Sequence, residues 1–135
     1  MAESIQKSSS EISFLGTGDC GPVHGPEEGF TIEGYTELVR STLAAVDLRF
    51  GNCERQYSVR GTFSELSPHG CQPPEMAKIF TDCGFDAVTV ANNHMYDFGP
   101  VALLDTRALL LEKGIRVTGA GKNLEEAATA EQAEK

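Results

Sequence analysis

The segment Ala87-Val88-Thr89-Val90-Ala91, followed at once by Asn92-Asn93-His94-Met95-Tyr96-Asp97-Phe98-Gly99, constrains this chain more than any other part of it. The first five residues are apolar and partly β-branched, the pattern of a short buried strand. Pro100-Val101-Ala102-Leu103-Leu104 follows the second part and reads as a helix start with proline in its first turn. Two carboxamides, an imidazole and a carboxylate therefore fall on a loop between a strand and a helix. In open α/β sheets such loops, at the carboxyl ends of strands, are where ligands are held. The plainer alternative is an Asx-rich turn that only caps the helix.

Two more polar clusters occupy equivalent places upstream. Gly18-Asp19 follows 11–17, where Ile12, Phe14 and Leu15 predict a first strand, and Gly51-Asn52-Cys53-Glu54 follows a second strand at 47–50. Between them, Tyr35, Leu38, Val39, Thr42, Leu43 and Val46 recur at helical spacing and predict one amphipathic helix over 34–46, its apolar stripe in the core. Further helices are predicted over 74–83 and 100–113, each opened near a proline and closed by a glycine, Gly84 or Gly114. Residues 115–118 read as a fourth strand. Strand and helix alternate, so the expected class is α/β, a mainly parallel sheet with right-handed helical crossovers. In such a sheet the strand ends share one edge. Asp19, Glu54, Asn93, His94 and Asp97 would then converge, and oxygen and imidazole groups of this kind bind divalent cations.

Charge narrows the partners. With 11 basic and 20 acidic residues the chain carries a net charge of −9, which argues against nucleic acid and against an anionic membrane surface. No stretch approaches the roughly 20 apolar residues of a membrane span. The first ten residues lack the apolar core of a secretory signal and read as a flexible arm, so the expected location is the cytoplasm. Residues 122–135 read as a charged tail, helical or disordered. Cys20, Cys53, Cys71 and Cys83 form no Cys-x-x-Cys pair and are expected as free thiols, Cys83 as core packing. Cys20 and Cys53 each stand beside a proposed ligand. They either line a cleft, join a soft metal, or oxidise to a disulfide.

Two loops stand out. Residues 20–33 are rich in glycine and proline and contain His24, a candidate ligand or a solvated loop histidine. Residues 55–73 contain His69, read as surface, and Arg55 and Arg60. Either arginine faces a phosphate or carboxylate, or is simply solvated.

The order Gly18-Asp19, Asn52-Cys53-Glu54, then Ala91-Asn92-Asn93-His94 with Asp97 and Gly99 resembles the CapA family, the poly-gamma-glutamate capsule biosynthesis proteins. That family is similar to the calcineurin-like metallophosphoesterases, and the resemblance runs from about Ile12 to Ala127. It implies the amino-terminal half of an αββα sandwich over 11–121, with a divalent metal (Mn, Zn or Mg) held by Asp19, Glu54 and Asn93. His94 would contact or protonate a phosphate-like leaving group, and Asp97 would orient His94 or the loop. The implied substrate is a phosphoester or a polyglutamate-type chain.

Related metallophosphoesterases supply later histidines from a second half of the fold, and none follows here, so the expected object is a first half only. From this follow two readings. One is a metal-dependent hydrolase-like domain. The other is a truncated, non-catalytic half-domain that acts as an interaction or oligomerisation module. An open apolar sheet face, with Phe14, Phe50, Val88, Val90 and Ile115, is expected to drive homo-oligomerisation or pairing with a second-half polypeptide.

Overall fold

The computed structural model describes residues 11–22, 29–62 and 71–129. The expected arm at 1–10, the end of the tail at 130–135, and both His24 and His69 lie outside these residues. In chain order the elements are β1 (Phe14–Cys20), α1 (Ile32–Thr36), α2 (Arg40–Ala44), β2 (Leu48–Cys53), a 3-10 turn (Pro74–Ala77), α3 (Lys78–Asp82), β3 (Ala87–Thr89), α4 (Gly99–Glu112), β4 (Arg116–Thr118) and α5 (Leu124–Ala128). The fold is α/β. Its four strands lie in the order β1-β2-β3-β4, and every neighbouring pair is parallel.

A sequential parallel order has a geometric consequence. Each crossover steps the same way, so right-handed connections bring all the helices to one face of the sheet. The contacts agree: α1 packs on α3, and α4 packs on the 3-10 turn and on β4. Side chains alternate across a strand, and burial follows. On the helix-covered face Gly51, Cys53, Val88 and Val117 are buried. On the opposite face Leu48, Phe50, Ala87, Thr89, Arg116 and Thr118 are only partly buried, and Phe14 is 64% exposed. Parallel sheets normally bury both faces. The expected open face therefore holds Phe14 and Phe50, but Val88, Val90 and Ile115 do not belong to it. These three are buried in the core beneath the helices.

That core is built around Phe80, whose ring meets Tyr57 edge-on at 6.0 Å and Phe85 at 5.5 Å. Met76, Val88, Val90, Leu110 and Val117 complete it. Helix α4 presents Ala102, Thr106 and Leu110 to this layer, one residue per turn. Gly84 and Gly114, at φ +67 and +81, end the preceding helices in the left-handed conformation that glycine adopts without strain.

The predicted helix over 34–46 is two short helices instead. The Thr36 hydroxyl donates back to the carbonyls of Ile32 and Glu33, a bond that competes with helix propagation, and the chain breaks over 37–39. The break turns Leu38 and Val39 outward. Leu38 is 88% exposed and is not core, whereas Leu43 on α2 is. Among the described residues no helix is long and apolar enough to cross a membrane.

The described residues of the loop after β2 are fixed at several points. Tyr57 bridges to Gln72, the Phe98 amide donates to Gln56 Oε1, and the Tyr57 amide donates to Thr106 Oγ1 at 2.8 Å. The buried Thr106 hydroxyl itself donates to the Ala102 carbonyl at 2.8 Å. Thr106→Val keeps the shape but strands the Tyr57 amide without an acceptor, at a cost of roughly 1–3 kcal/mol. Urea unfolding should show the lower midpoint with an unchanged slope.

Candidate functional site

An irregularity in β1 creates the site. Gly16 pairs with Phe50, yet the next paired residue, Asp19, meets Asn52, so three steps along β1 match two along β2. One extra residue is accommodated at Thr17-Gly18. In a regular strand Gly18 would pair with Asn52, and Asp19 would sit opposite Cys53 on the helix-covered face. The bulge moves Asp19 to the other face, beside Asn52. Bulges re-aim side chains in this way where strands end.

A continuous line of hydrogen bonds then runs across three strand ends. Asn52 Nδ2 donates to Asp19 Oδ1 at 2.6 Å. Asn92 Nδ2 donates to Asn52 Oδ1 and to the Cys53 carbonyl, both at 2.9 Å. Asn92 Oδ1 accepts from the His94 amide at 3.0 Å. His94 Nδ1 lies 2.9 Å from Asp97 Oδ2, and a carboxylate can only accept, so Nδ1 carries the hydrogen. His94 Nε2 faces Glu54 Oε1 at 3.9 Å, and the other Glu54 oxygen faces Arg55 Nη2 at 3.5 Å. Glu54 is tied to β1 as well, its amide donating to the Cys20 carbonyl at 3.0 Å.

Of the five residues singled out in the sequence, Asp19, Glu54, His94 and Asp97 meet in this network. Asn93 is exposed on the turn beside it. Asn52 and Asn92, which were not singled out, are the links that join the three ends. The available signal was Asn52-Cys53-Glu54 itself, since alternation places Asn52 on the face of its register partner. Arg60 lies elsewhere. It pairs with Asp105 on α4, a carboxylate that also accepts from Ser58 Oγ at 2.6 Å. The pair holds the Asp105 carboxyl below its ordinary range.

A family model, that of the bacterial capsule synthesis protein PGA_cap, matches residues 8–135. The chain belongs to that family. No curated protein matches it significantly. Membership associates the chain with bacterial capsule synthesis and agrees with the resemblance carried by Asn92 to Gly99. As for a metal at these strand ends, the donors are carboxylate and amide oxygens with one imidazole, the chemistry of oxygen-seeking divalent ions. Among the described residues no three or more His, Cys, Asp or Glu side chains form a ligand cluster. Carboxylate, thiol and imidazole groups alone therefore make no ready ligand cluster among the described residues at these strand ends.

Behind the site, on the helix-covered face, lies an apolar cavity of about 350 Å³ bounded by Leu15, Cys20, Tyr35, Leu43, Phe80 and Cys83. Cys20 and Cys53 are register partners on adjacent strands, and all four cysteines are free thiols. Cys83 is core, as expected. The Cys20 thiol accepts or donates a 3.0 Å bond with Thr17. Burial pushes its pKa up, as do the nearby Asp19 and Glu54 carboxylates, against the Thr17 bond. Burial pushes the Cys53 thiol far higher. The thiolate is the reactive form, so both should alkylate slowly at neutral pH in the folded protein. Cys20 should accelerate only as pH rises past the ordinary thiol value of 9.0. Glu54→Gln removes one repelling charge and should speed Cys20 labelling at fixed pH, read by mass spectrometry after iodoacetamide. Cys53 should stay unlabelled until the protein is unfolded.

Proposed function

We propose that this chain is a metal-dependent, phosphoesterase-like domain serving poly-gamma-glutamate capsule metabolism. The supporting observation is the unbroken hydrogen-bonded line from Asp19 through Asn52 and Asn92 to His94 and Asp97, with Glu54 across from the imidazole. Asp19, Glu54 and the amide of Asn93 hold Mn²⁺, Zn²⁺ or Mg²⁺ in this reading. Such an ion supplies an activated water and neutralises charge on a tetrahedral phosphorus.

The protein's own groups do the rest. Asp97 fixes the His94 ring through Nδ1 and leaves Nε2 directed to the Glu54 side of the site. Protonated at Nε2, His94 gives that proton to the leaving oxygen as its bond to phosphorus breaks. The asparagine links cannot titrate, so they hold the geometry without adding charge. The substrate is a phosphoester or a polyglutamate-type chain.

Calorimetry with Mn²⁺ on the wild type and on Asp19→Ala tests the metal. Uptake should fall at least tenfold in the variant, and equal uptake removes Asp19 from the ligand set. In a phosphodiester assay His94→Ala should lower turnover ~10²–10⁴-fold, the usual cost of a lost general acid. An unchanged rate sinks its assignment.

The half-open sheet favours a second element of the reading, an interaction role, whether beside catalysis or instead of it. Phe14 and Phe50 lie on the incompletely buried face, and β1 is an edge strand with Ile12, two residues before its start, 66% exposed. Such surfaces associate. The chain should therefore form a homo-oligomer or bind another polypeptide through this face. Light scattering across a dilution series should give a concentration-dependent mass that Phe14→Lys abolishes. A single monomeric mass at every concentration contradicts self-association.

A further inference from the structure

Arg55 is the charged residue at the strand ends that the reading above leaves without a task. Its side chain is only 6% exposed. It runs so close beneath the end of β1 that a Cβ on Gly21 would stand 2.5 Å from Arg55 Cγ. Its Nη2 reaches Glu54 at 3.5 Å, beyond the 2.7–3.2 Å range of an N–H···O bond, and its Nε is buried with no hydrogen-bond partner.

Arg49, partly buried with its side chain 16% exposed, shows what a purely structural guanidinium looks like. Arg49 donates from Nε to the Leu43 carbonyl at 2.6 Å, from Nη1 to Gly84 at 2.6 Å and from Nη2 to Val46 at 2.8 Å. All three of its nitrogens are bonded, and it staples the end of α2 and the turns after α2 and α3 at the far end of the sheet. Arg55 is withdrawn further from water yet under-bonded, and a buried charged donor without a partner is costly. Its neighbours are the groups of the candidate site. Glu54 is its ion-pair partner, and His94 Nε2 lies on the other side of the same carboxylate.

We propose that Arg55 is the oxyanion receptor of the strand-end site. Its guanidinium takes a phosphate or carboxylate group of the ligand, with Glu54 as the internal anion that the ligand displaces. The planar fork of N–H donors matches either group. The site otherwise presents the carboxylates of Asp19, Glu54 and Asp97, which repel an anion, so the ligand's negative charge needs this residue. The proposal rests on the strand ends being a substrate site but does not require a bound metal.

The test is metal-free. In the presence of a chelator, the ¹⁵N-labelled full chain is titrated with inorganic phosphate and, separately, with N-acetylglutamate. The Arg55 Nε–H resonance, assigned by its loss in Arg55→Lys, is followed throughout. It should shift saturably with at least one of the two anions, and the arm that responds identifies the source. Arg55→Lys should weaken that binding roughly tenfold or more, the worth of one charged hydrogen bond. Glu54→Gln should tighten it severalfold, because the competing carboxylate is gone, whereas a structural arginine would leave affinity untouched. A resonance that neither anion moves overturns the proposal, as does equal binding by Arg55→Lys. If Arg55→Lys does not fold, the wild-type shift and the Glu54→Gln affinity decide. Mn²⁺ calorimetry on Asp19→Ala is independent of this titration, so failure of the metal reading and failure of the Arg55 assignment are separately visible.

Discussion

One surplus residue in β1 sets the chemistry of this protein. Without it, Asp19 would project beneath the helices into the apolar layer that Cys53, Val88 and Val117 occupy. With it, the carboxylate stands beside Asn52 on the other face, at the strand ends. The bulge needs room on its neighbour, and Gly51 provides it. A Cβ there would lie 2.6 Å from Thr17 Oγ1 and 2.8 Å from the Phe85 ring. The glycine of β2 and the bulge of β1 are therefore two halves of one fit. Overpacking at such a contact typically costs about 1–3 kcal/mol, and here it would also turn the aspartate away from its partners.

The hydrogen-bonded line that starts at Asp19 has a direction. A carboxylate only accepts, so it selects the NH₂ end of Asn52. That leaves the Asn52 oxygen to meet the NH₂ of Asn92, and the Asn92 oxygen to meet the His94 amide. Each amide orientation follows from the one before it. A charged group at one strand end thereby fixes the loop that carries the imidazole, two strands away.

Much of this was legible in the sequence, and the parts that were not share a cause. The strand before Asn92, the helix opened at Pro100, the closing glycines 84 and 114 and the α/β class all follow from local pattern. The helix break at Thr36 does not, because a hydroxyl turned back on its own backbone leaves the apolar spacing of Leu38 and Val39 intact. Asn92 rather than Asn93 enters the line of hydrogen bonds because the turn's path decides which of two adjacent amides points inward. Arg60 found Asp105 some 45 positions later in sequence, a partner no spacing rule supplies. Register and bulge depend on pairing between strands, so a first strand ending at 17 was the natural reading, and Gly16 and Gly18 were its only warning.

The sequential strand order bears on how the molecule comes into being. Every strand pairs with the one made just before it, so no segment has to wait for a distant partner before it can add to the sheet. Each pairing closes one helical crossover rather than the whole chain, a smaller closure cost than a shuffled strand order would impose. A chain emerging from synthesis can build this sheet from one edge to the other, much as a repeat protein propagates from its first unit. Asp19, Asn52, Glu54, Asn92, His94 and Asp97 all precede α4 and β4. The polar cluster is thus fully synthesised before the helix and strand that close the core behind it.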